Sequence, residues 1–427
     1  MNFSEIGKPR PRFEGIDQVT GKSTYVGDMY LPGMLYAKGL LSTEDHAKIL
    51  EIDTSPAKQL KGVRVVITGH DIPVNITGPI VQDAYCLPID KVRYRGEMIA
   101  LVAADTEEIA EEAVSRIKVK YERLPAVFDP RDALQPDAPI VHDEFQGTLC
   151  NGNLILMHGH DVSRLVHGDV EQGFAESDLI VEHTFATTPE LGGAIEPYAV
   201  LAQPNGADGL TIWAPSQSPF ANAGAIAKIL QLSTNKVRFI SPAVGGAFGQ
   251  KAGYFEPVVA LAALKTDRPV RYTFTSKEFF LHGSSRSPMY LTYKMGVKSD
   301  GKIMAIQRTT LTSAGAQASV GILITHKGGF MGAGPYYSPN HYAECRVAYT
   351  NKVPGGAVRG FGMAQATFAM ESMMDIIAEK LGMDPLEFRL KNVLCDCNNC
   401  SPTGENMKSI GIRPCLEKVR EMSGWQA

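Results

Sequence analysis

One nine-residue run in the last quarter of the chain has the residue types to bind an anion and a planar ring. It reads Ala-Val-Arg-Gly-Phe-Gly-Met-Ala-Gln at residues 357–365. Arg359 can present a planar fork of donors to an anion or an oxo group, and Phe361 can offer a flat face to a planar substrate. Gly360 and Gly362 tolerate a positive φ and a close approach to a ligand. A helix-like segment follows, and a helix N-terminus favours anions. The alternative is a glycine turn that binds no ligand, in which the arginine is solvated and the phenylalanine is buried. Such a turn would show the same sequence pattern.

A second glycine-rich run has a placement that suits anion binding. It reads Val-Gly-Gly-Ala-Phe-Gly-Gln-Lys at residues 244–251, after a strand-like stretch at 237–240 and before a helix that can start at Pro257. Backbone N–H groups in such a turn can cradle phosphate or another anion. The spacing is neither the dinucleotide fingerprint nor a P-loop. A tight strand-to-helix turn without a ligand is the alternative, but two such runs in one chain favour a large anionic cofactor.

Three further groups of polar residues are weaker candidates for chemistry. The spacing of the cysteines is not a standard zinc pattern, so we expect them to be thiols without a metal. The histidines lie in an irregular stretch and are expected to be solvated. The two glutamates flank a glycine-rich turn and could face a site, although surface carboxylates are the usual case. The residues are Cys395, Cys397 and Cys400, His158, His160 and His167, and Glu190 and Glu196.

Composition sets the class of protein. A chain of 427 residues is long enough for two or more domains. The hydrophobic share of 44% and the net charge of −4 are ordinary for a soluble globular protein and give no sign of a nucleic-acid partner. The sequence has no run of about 18 or more apolar residues, so we predict no membrane span. Its first residues lack a charged segment followed by an apolar core, so we predict no secretory signal. The seven cysteines suit a reducing compartment, so we expect a cytoplasmic protein.

The hydrophobic pattern predicts a mixed α/β unit over about the first 130 residues. Apolar runs of strand length lie at 63–68 and 99–104, and Thr106 can cap a helix at 107–115. Residues 131–168 carry several glycines and histidines and are weakly periodic, which predicts a partly irregular connection between domains.

The C-terminal third contains the longest predicted helix, from about residue 366 to residue 381. Four apolar residues recur there at near-helical spacing, which indicates a buried face rather than a cofactor contact. Gly382 is expected to end this helix, and Pro385 to block its continuation. The apolar residues are Met370, Met374, Ile377 and Leu381.

Four stretches resemble the molybdenum-cofactor subunit of the xanthine dehydrogenase and aldehyde oxidase family. Together they span nearly the whole chain in the family's order. They are Val-Thr-Gly-Lys at 19–22 with Pro-Gly-Met-Leu-Tyr-Ala at 32–37, Val-Arg-Tyr-Arg-Gly-Glu at 92–97 with Tyr-Glu-Arg-Leu-Pro at 121–125, the run at 245–251, and Tyr-Thr-Asn at 349–351 through the run at 359–362 to Leu-Gly-Met-Asp-Pro at 381–385.

The resemblance implies an α+β fold and assigns roles to the two glycine runs. An N-terminal α/β hammerhead domain would occupy residues 1–130 and a connecting segment residues 131–168. The first part of the molybdopterin-binding region would occupy residues 169–427. Phe361 would stack on a heteroaromatic substrate, and no residue of this chain would ligate the metal. The residues implied to bind the cofactor are Gly246, Phe248, Gly249, Arg359 and Gly360.

Departures from the family pattern narrow the function. Ala252 replaces an acidic residue that helps some members to bind purines, and Glu190 stands where many members have glutamine. Family chains usually continue well past this length. The part beyond residue 427 would hold most pterin contacts and the glutamate that acts as general base. We therefore expect no catalytic residue in this chain and the general base on a partner chain, although a truncated chain would look the same.

The implied function is that of a subunit of a molybdenum-dependent oxidoreductase. The arrangement resembles the split-chain nicotinate dehydrogenases of the family, and closest their large molybdopterin subunit. The enzyme would hydroxylate nicotinate to 6-hydroxynicotinate with water as the oxygen source. Its cofactor would be molybdopterin in the cytosine dinucleotide form with molybdenum. The expected partners are a second molybdopterin subunit, an iron–sulfur subunit with [2Fe–2S] and an FAD subunit.

Two alternatives stay open at this point. The first is another hydroxylase or reductase of the family that acts on a purine, an aldehyde or an aromatic thioester. The second is a structural or maturation protein that keeps the fold without the cofactor. Metal analysis separates the second alternative from the enzymes.

Overall fold

The computed structural model describes residues 3–206, 209–251, 253, 255–396 and 400–425. The strands in this part of the chain are β1 (Leu35–Leu41), β2 (Ala47–Asp53), β3 (Val63–Thr68), β4 (Ile76–Thr77), β5 (Ala84–Tyr85), β6 (Lys91–Val92), β7 (Met98–Ala104), β8 (Lys118–Arg123), β9 (Cys150–Asn151), β10 (Leu154–Ile155), β11 (Ser163–His167), β12 (Leu179–Ala186), β13 (Ala199–Pro204), β14 (Leu210–Trp213), β15 (Val237–Ile240), β16 (Val270–Thr273), β17 (Ser285–Arg286), β18 (Met289–Val297), β19 (Ile303–Gly315), β20 (Asn340–Tyr349) and β21 (Gly355–Gly356).

Helices cover these strands and connect them. They are α1 (Gly15–Val19), α2 (Ser55–Lys58), α3 (Glu107–Arg116), α4 (Pro130–Ala133), α5 (Val170–Ala175), α6 (Pro219–Ile229), α7 (Glu256–Thr266), α8 (Ser276–His282), α9 (Gly321–Phe330), α10 (Met363–Leu381), α11 (Pro385–Asn392) and α12 (Ile412–Ser423). No helix in the described ranges is both long enough and apolar enough to cross a membrane.

The first large sheet has the strand order β15-β14-β13-β16-β1-β7-β3. Every residue of β7 is buried, because helices cover both faces of the sheet at this strand. Leu101 and Ala103 face a core that includes α6 and α7, whereas Ala100 and Val102 face α2 and α3. The strand and helix predicted at 99–104 and 107–115 are confirmed, and the Thr106 side chain accepts a hydrogen bond from the N–H of Ile109 at 3.3 Å.

This sheet joins the first 130 residues to the rest of the chain. Strand β1 pairs in parallel with β16, with Leu35 opposite Val270, and antiparallel with β7. Strands β13 to β15 then extend the sheet on the far side of β16. The predicted domain boundaries near residues 130 and 168 stay predictions. The sheet combines strands that precede residue 130 with strands that follow residue 168.

The second large sheet has the strand order β12-β18-β19-β20-β10-β9, with β11 also on β20. Helix α10 packs on it through Met370, Met374 and Ile377, which are buried as predicted, and Leu381 is partly buried. Gly382 ends α10 with a left-handed φ of 64°, which confirms the predicted end.

Two local predictions differ from the structure. Pro385 does not merely block α10; it occupies the first turn of α11, whose N-cap Asp384 accepts hydrogen bonds from the N–H groups of Leu386 and Glu387. The connection at 131–168, predicted as partly irregular, contains β9, β10 and β11. Strand β11 pairs with β20 over five residues, and its polar, alternating residues carry too weak a periodic signal to identify it.

Buried polar contacts fix the N-terminal unit against the segment that leads to the glycine-containing run at residues 357–362. The N–H and side-chain oxygen of Asn351 pair with the O and N–H of Val127, at 2.7 and 2.9 Å, and its amide nitrogen donates to the carbonyl of Arg93. The buried carboxylate of Asp83 accepts hydrogen bonds from the N–H of Ala318 and the hydroxyl of Tyr349. These contacts position residues 351–356 and the loop after them.

Glu97 lies inside this contact region and is almost fully buried. Its carboxylate accepts a hydrogen bond from the N–H of Arg93 at 2.7 Å. Burial nevertheless raises the pKa of Glu97 to about 7, because the loss of hydration outweighs the effect of the neighbouring charges of Arg93 and Lys91.

We predict that Glu97 makes the fold less stable as the pH rises from about 5 to about 7. The folded protein holds a proton on Glu97 that the unfolded chain releases near pH 4.5, so the stabilisation present at low pH is lost as the pH passes about 7. Glu97→Gln should reduce this loss by on the order of 2 kcal/mol. Urea unfolding at about pH 5 and pH 7.5 measures it, with Glu51→Gln as the exposed control. Equal pH dependence in the wild type and Glu97→Gln would contradict the assignment.

Candidate functional site

Two loops and one extended segment form the candidate site. Loop L1 is residues 244–251, which lie between β15 and α7. Loop L2 is residues 357–362, which lie between β21 and α10. Segment S is residues 189–197, which lead into β13. Each adjoins the end of a strand, so the sheets hold their ends in place while their tips stay accessible.

The two loops contact each other directly. The N–H of Arg359 donates a hydrogen bond to the carbonyl of Phe248 at 2.8 Å. Gly249 has a φ of 96°, and a Cβ on this residue would lie 2.5 Å from the carbonyl oxygen of Ala357. Only glycine permits both the backbone conformation and the close approach. The structure therefore brings Phe248, Gly249 and Arg359 together, as a shared site requires.

The aromatic residue of each loop has a left-handed backbone conformation. Phe248 has a φ of 52° and Phe361 a φ of 45°. This region is unfavourable for a bulky residue, at a cost of about 1–3 kcal/mol, and persists only where surrounding contacts impose it. Phe248 is 41% exposed, whereas Phe361 is half-buried against the core beneath α10. Strain of this kind is concentrated at ligand sites.

The loops present hydrogen-bond donors that lack acceptors. Within the described ranges, no acceptor is in hydrogen-bond distance of the N–H groups of Gly246, Ala247 and Phe248, nor of Gly360. The exposed guanidinium of Arg359 has no carboxylate of the described residues within ion-pair distance. Consecutive free N–H groups beside an uncompensated cation form a donor set that fits an anionic cofactor.

Loop L2 is also held against α9. A Cβ on Gly362, whose φ is 92°, would lie 2.3 Å from the carbonyl oxygen of Ile324 and 2.9 Å from the N of Gly328. Gly362 is the N-cap of α10 and gives this helix no side-chain cap. The positive end of the helix dipole therefore lies at the end of L2, close in the chain to Arg359 and Gly360.

Segment S is tied to L1 by two side chains. The side-chain oxygen of Gln250 accepts a hydrogen bond from the N–H of Gly192 at 2.6 Å, and its amide nitrogen donates to the carbonyl of Ser284. Glu196 Oε2 accepts a hydrogen bond from the N–H of Gly245 at 2.7 Å and pairs with Lys251 Nζ at 2.5 Å. Glu196 is therefore buried beside L1 and is not a surface carboxylate.

Arg286 connects segment S to L2. Its Nε donates to Glu190 Oε2 at 2.8 Å, and its Nη2 donates to the carbonyl of Arg359 at 3.1 Å. Strand β17 positions Arg286 by pairing with β21, where Ser285 lies opposite Gly355. No local pattern in the sequence indicated Arg286, because its role depends on two partners that lie about 70 and 100 residues away along the chain.

Open space lies on both sides of the loops. A cavity of about 180 Å³ lies between segment S, L1 and α8, and is lined by Ile195, Lys251 and Phe280 among others. A groove of about 300 Å³ is lined by Gly249 of L1 and Ala357 of L2, together with parts of α6 and α7. A ligand can therefore contact both loops without moving the sheets.

The remaining candidates from the sequence make other contacts. His158 stacks on His326 of α9, and Cys400 is a free, partly buried cysteine. Cys395 is disulfide-bonded, which corrects the expectation of a thiol at this position. Cys397 and Ala252 lie outside the described residues. Among the residues that are described, no group of three or more histidine, cysteine or acidic side chains could hold a metal ion.

Comparison with known proteins identifies the family. Residues 156–393 match the molybdopterin cofactor-binding domain, and residues 20–125 match the aldehyde oxidase and xanthine dehydrogenase a/b hammerhead domain. The chain belongs to the aldehyde oxidase and xanthine dehydrogenase family of molybdopterin-binding proteins. The α+β fold with an N-terminal hammerhead domain is confirmed by the same matches.

Relatives of two lengths match the chain. It is 34% identical to the nicotinate dehydrogenase large molybdopterin subunit of Eubacterium barkeri, over 98% of this chain and 96% of that protein. It is 37% identical to a probable xanthine dehydrogenase subunit of Bacillus subtilis, over 91% of this chain but only 51% of that protein. The aldehyde oxidoreductase structure from Desulfovibrio gigas superposes with a TM-score of 0.90 at 31% identity, over 96% of this chain and 46% of that one. The chain thus spans about half the length of several relatives.

We predict that Gly249→Ala separates the two loops. The new Cβ cannot coexist with the carbonyl of Ala357, so we expect a loss of about 2–4 kcal/mol in the free energy of unfolding. Gly382→Ala is the matched control, since Gly382 also has a positive φ but nothing within 4 Å, and should cost about 1 kcal/mol. Urea unfolding of both variants measures the difference, and equal losses would show that L1 and L2 do not pack this closely.

Proposed function

We propose that this chain is the larger molybdopterin subunit of a molybdenum hydroxylase that acts on nicotinate. The contact between Phe248 and Arg359 carries the proposal, because it brings two donor-rich loops side by side. The match to nearly the full length of the nicotinate dehydrogenase large molybdopterin subunit supports it. The product would be 6-hydroxynicotinate, with water as the oxygen source.

The residues present fit the proposed cofactor. Gly246, Phe248 and Gly249 would bind it from L1, through backbone groups that approach closely because no Cβ intervenes at the glycines. Arg359 and Gly360 would bind it from L2, where the guanidinium and the dipole of α10 favour negative charge. When bound, the molybdenum cofactor supplies the oxygen transfer and takes up the electron pair of the substrate.

This chain would orient the substrate and exclude water. Phe361 would stack on the pyridine ring, and its fixed backbone would hold the ring in one plane. Arg286 would keep the carbonyl of Arg359 in place through a hydrogen bond that is anchored by Glu190. The general-base glutamate would come from the second molybdopterin subunit, so neither chain would complete the site alone.

Partner subunits would carry the electrons away. We propose a second molybdopterin subunit, an iron–sulfur subunit with [2Fe–2S] and an FAD subunit, all in the cytoplasm. The relative of which the chain covers 96% is itself named a large molybdopterin subunit, which supports a divided arrangement. The cofactor would have the cytosine dinucleotide form of molybdopterin.

A purine is the second candidate substrate, because the 37% identical relative is named a probable xanthine dehydrogenase subunit. The neutral Ala252, in place of an acidic residue, favours nicotinate over a purine. Both candidates keep the same roles for L1 and L2.

We predict nicotinate-dependent dye reduction by the complex that co-purifies with this chain, and about a 10²-fold lower rate in Arg359→Met. The guanidinium is expected to stabilise charge at the cofactor, and loss of one such donor typically costs this much. Arg116→Met is the control, since Arg116 pairs with Glu112 on the surface of α3, and it should keep the wild-type rate.

The outcomes separate the candidate functions. Activity with purines or aldehydes but not nicotinate would reject nicotinate as the substrate. A purified complex without molybdenum would reject the enzyme and favour a structural or maturation protein. An unchanged rate of dye reduction in Arg359→Met would show that Arg359 does not belong to the site.

A further inference from the structure

We propose that Glu196 and Lys251 are positioning residues that hold loop L1 in the conformation that binds the cofactor. We call this buried pair the Glu196–Lys251 clasp. Its role rests on the proposed function, since it concerns the same site, but it involves no contact between either side chain and the cofactor.

The clasp joins the two ends of L1 on one oxygen atom. Glu196 Oε2 accepts a hydrogen bond from the N–H of Gly245 at 2.7 Å and pairs with Lys251 Nζ at 2.5 Å. The backbone N–H of Glu196 donates to the carbonyl of Gly245 at 3.3 Å. The beginning and the end of L1 are therefore both fixed to Glu196 of segment S. This fixes the distance that the tip of the loop has to bridge.

Burial makes the loss of either partner more costly than it is for a surface ion pair. The side chain of Lys251 is 1% exposed and that of Glu196 is 6% exposed. Burial lowers the pKa of Lys251, and the hydrogen bond and charge of Glu196 oppose that change. Removal of one partner leaves a buried charge without compensation and therefore lowers the stability of the fold.

The groups between the two ends are those assigned to the cofactor. The N–H groups of Gly246, Ala247 and Phe248, which have no acceptor in the described part of the chain, all lie within the span that the clasp closes. The carbonyl of Phe248 accepts the hydrogen bond from Arg359 while its residue keeps a φ of 52°. A freed end would let Phe248 relax to an ordinary φ, which would turn the N–H groups away and break the contact with L2.

The experiment separates positioning from stability with a double variant. In Glu196→Gln/Lys251→Met no charge stays buried and unpaired, so the stability lost in each single variant should return. The clasp is still absent, so L1 should stay loose. The control is Lys38→Met, because Lys38 is 7% exposed and pairs with Glu107 far along the chain from L1.

Two measurements on the co-purified complex test the clasp, with thermal stability recorded for each variant. The molybdenum content per chain after gel filtration should fall in Lys251→Met, Glu196→Gln and the double variant. We expect a fall of about 10- to 100-fold, as for residues that orient metal ligands without contacting the metal. Amide hydrogen exchange of the N–H groups of Gly249 and Arg359, which are hydrogen-bonded to Gln217 and Phe248, should become faster in the same three variants. Lys38→Met should lower stability alone.

Two results would overturn the clasp. One is recovery of molybdenum together with stability in the double variant, which would make the pair merely structural. The other is unchanged exchange of the Gly249 and Arg359 N–H groups in both single variants. If the wild-type complex holds no molybdenum, the proposed function fails, and the exchange measurement still decides whether the pair holds L1.

Discussion

The site depends on the close approach of two loops that lie about 110 residues apart in the chain. Gly249 against the carbonyl of Ala357 leaves no room for a Cβ, and the hydrogen bond from Arg359 to Phe248 fixes the loops in register. The rest of the architecture serves this contact. Strand β15 and helix α7 fix the ends of L1, whereas β21 and α10 fix those of L2. Segment S then spans both loops, through Gln250 and Glu196 to L1 and through Arg286 to L2.

Charge pairing explains how a chain with a net charge of −4 can present an anion-binding face. The two carboxylates of segment S are each matched by a cation, Glu190 by Arg286 and Glu196 by Lys251. Among the described residues, Arg359 has no such match. The local field at the tips of the loops is therefore positive, and the N-terminus of α10 adds to it. Overall charge alone would not have indicated this.

The sequence was sufficient for the family, for several of the regular elements and for the two loops. Apolar runs identified β3, β7 and α10, and glycine spacing identified L1 and L2, because those signals are local. The contact between the loops was not predictable from local pattern, since it depends on strand pairing in two sheets. The role of Arg286 was not predictable from local pattern either, because its neighbours in sequence are ordinary serines. Nor were the left-handed conformations of Phe248 and Phe361. Strand β11 was missed because its own sequence has a weak strand propensity. It forms a strand because it pairs with β20, which is distant in the chain.

The central claim is that L1 and L2 together form one wall of a molybdenum site. Anomalous diffraction at the molybdenum absorption edge, from crystals of the co-purified complex, tests it most directly. The account predicts one anomalous peak per copy of this chain, beside Phe248 and Gly249 on one side and Arg359 and Gly360 on the other. A peak bound elsewhere, out of contact with both loops, would contradict it.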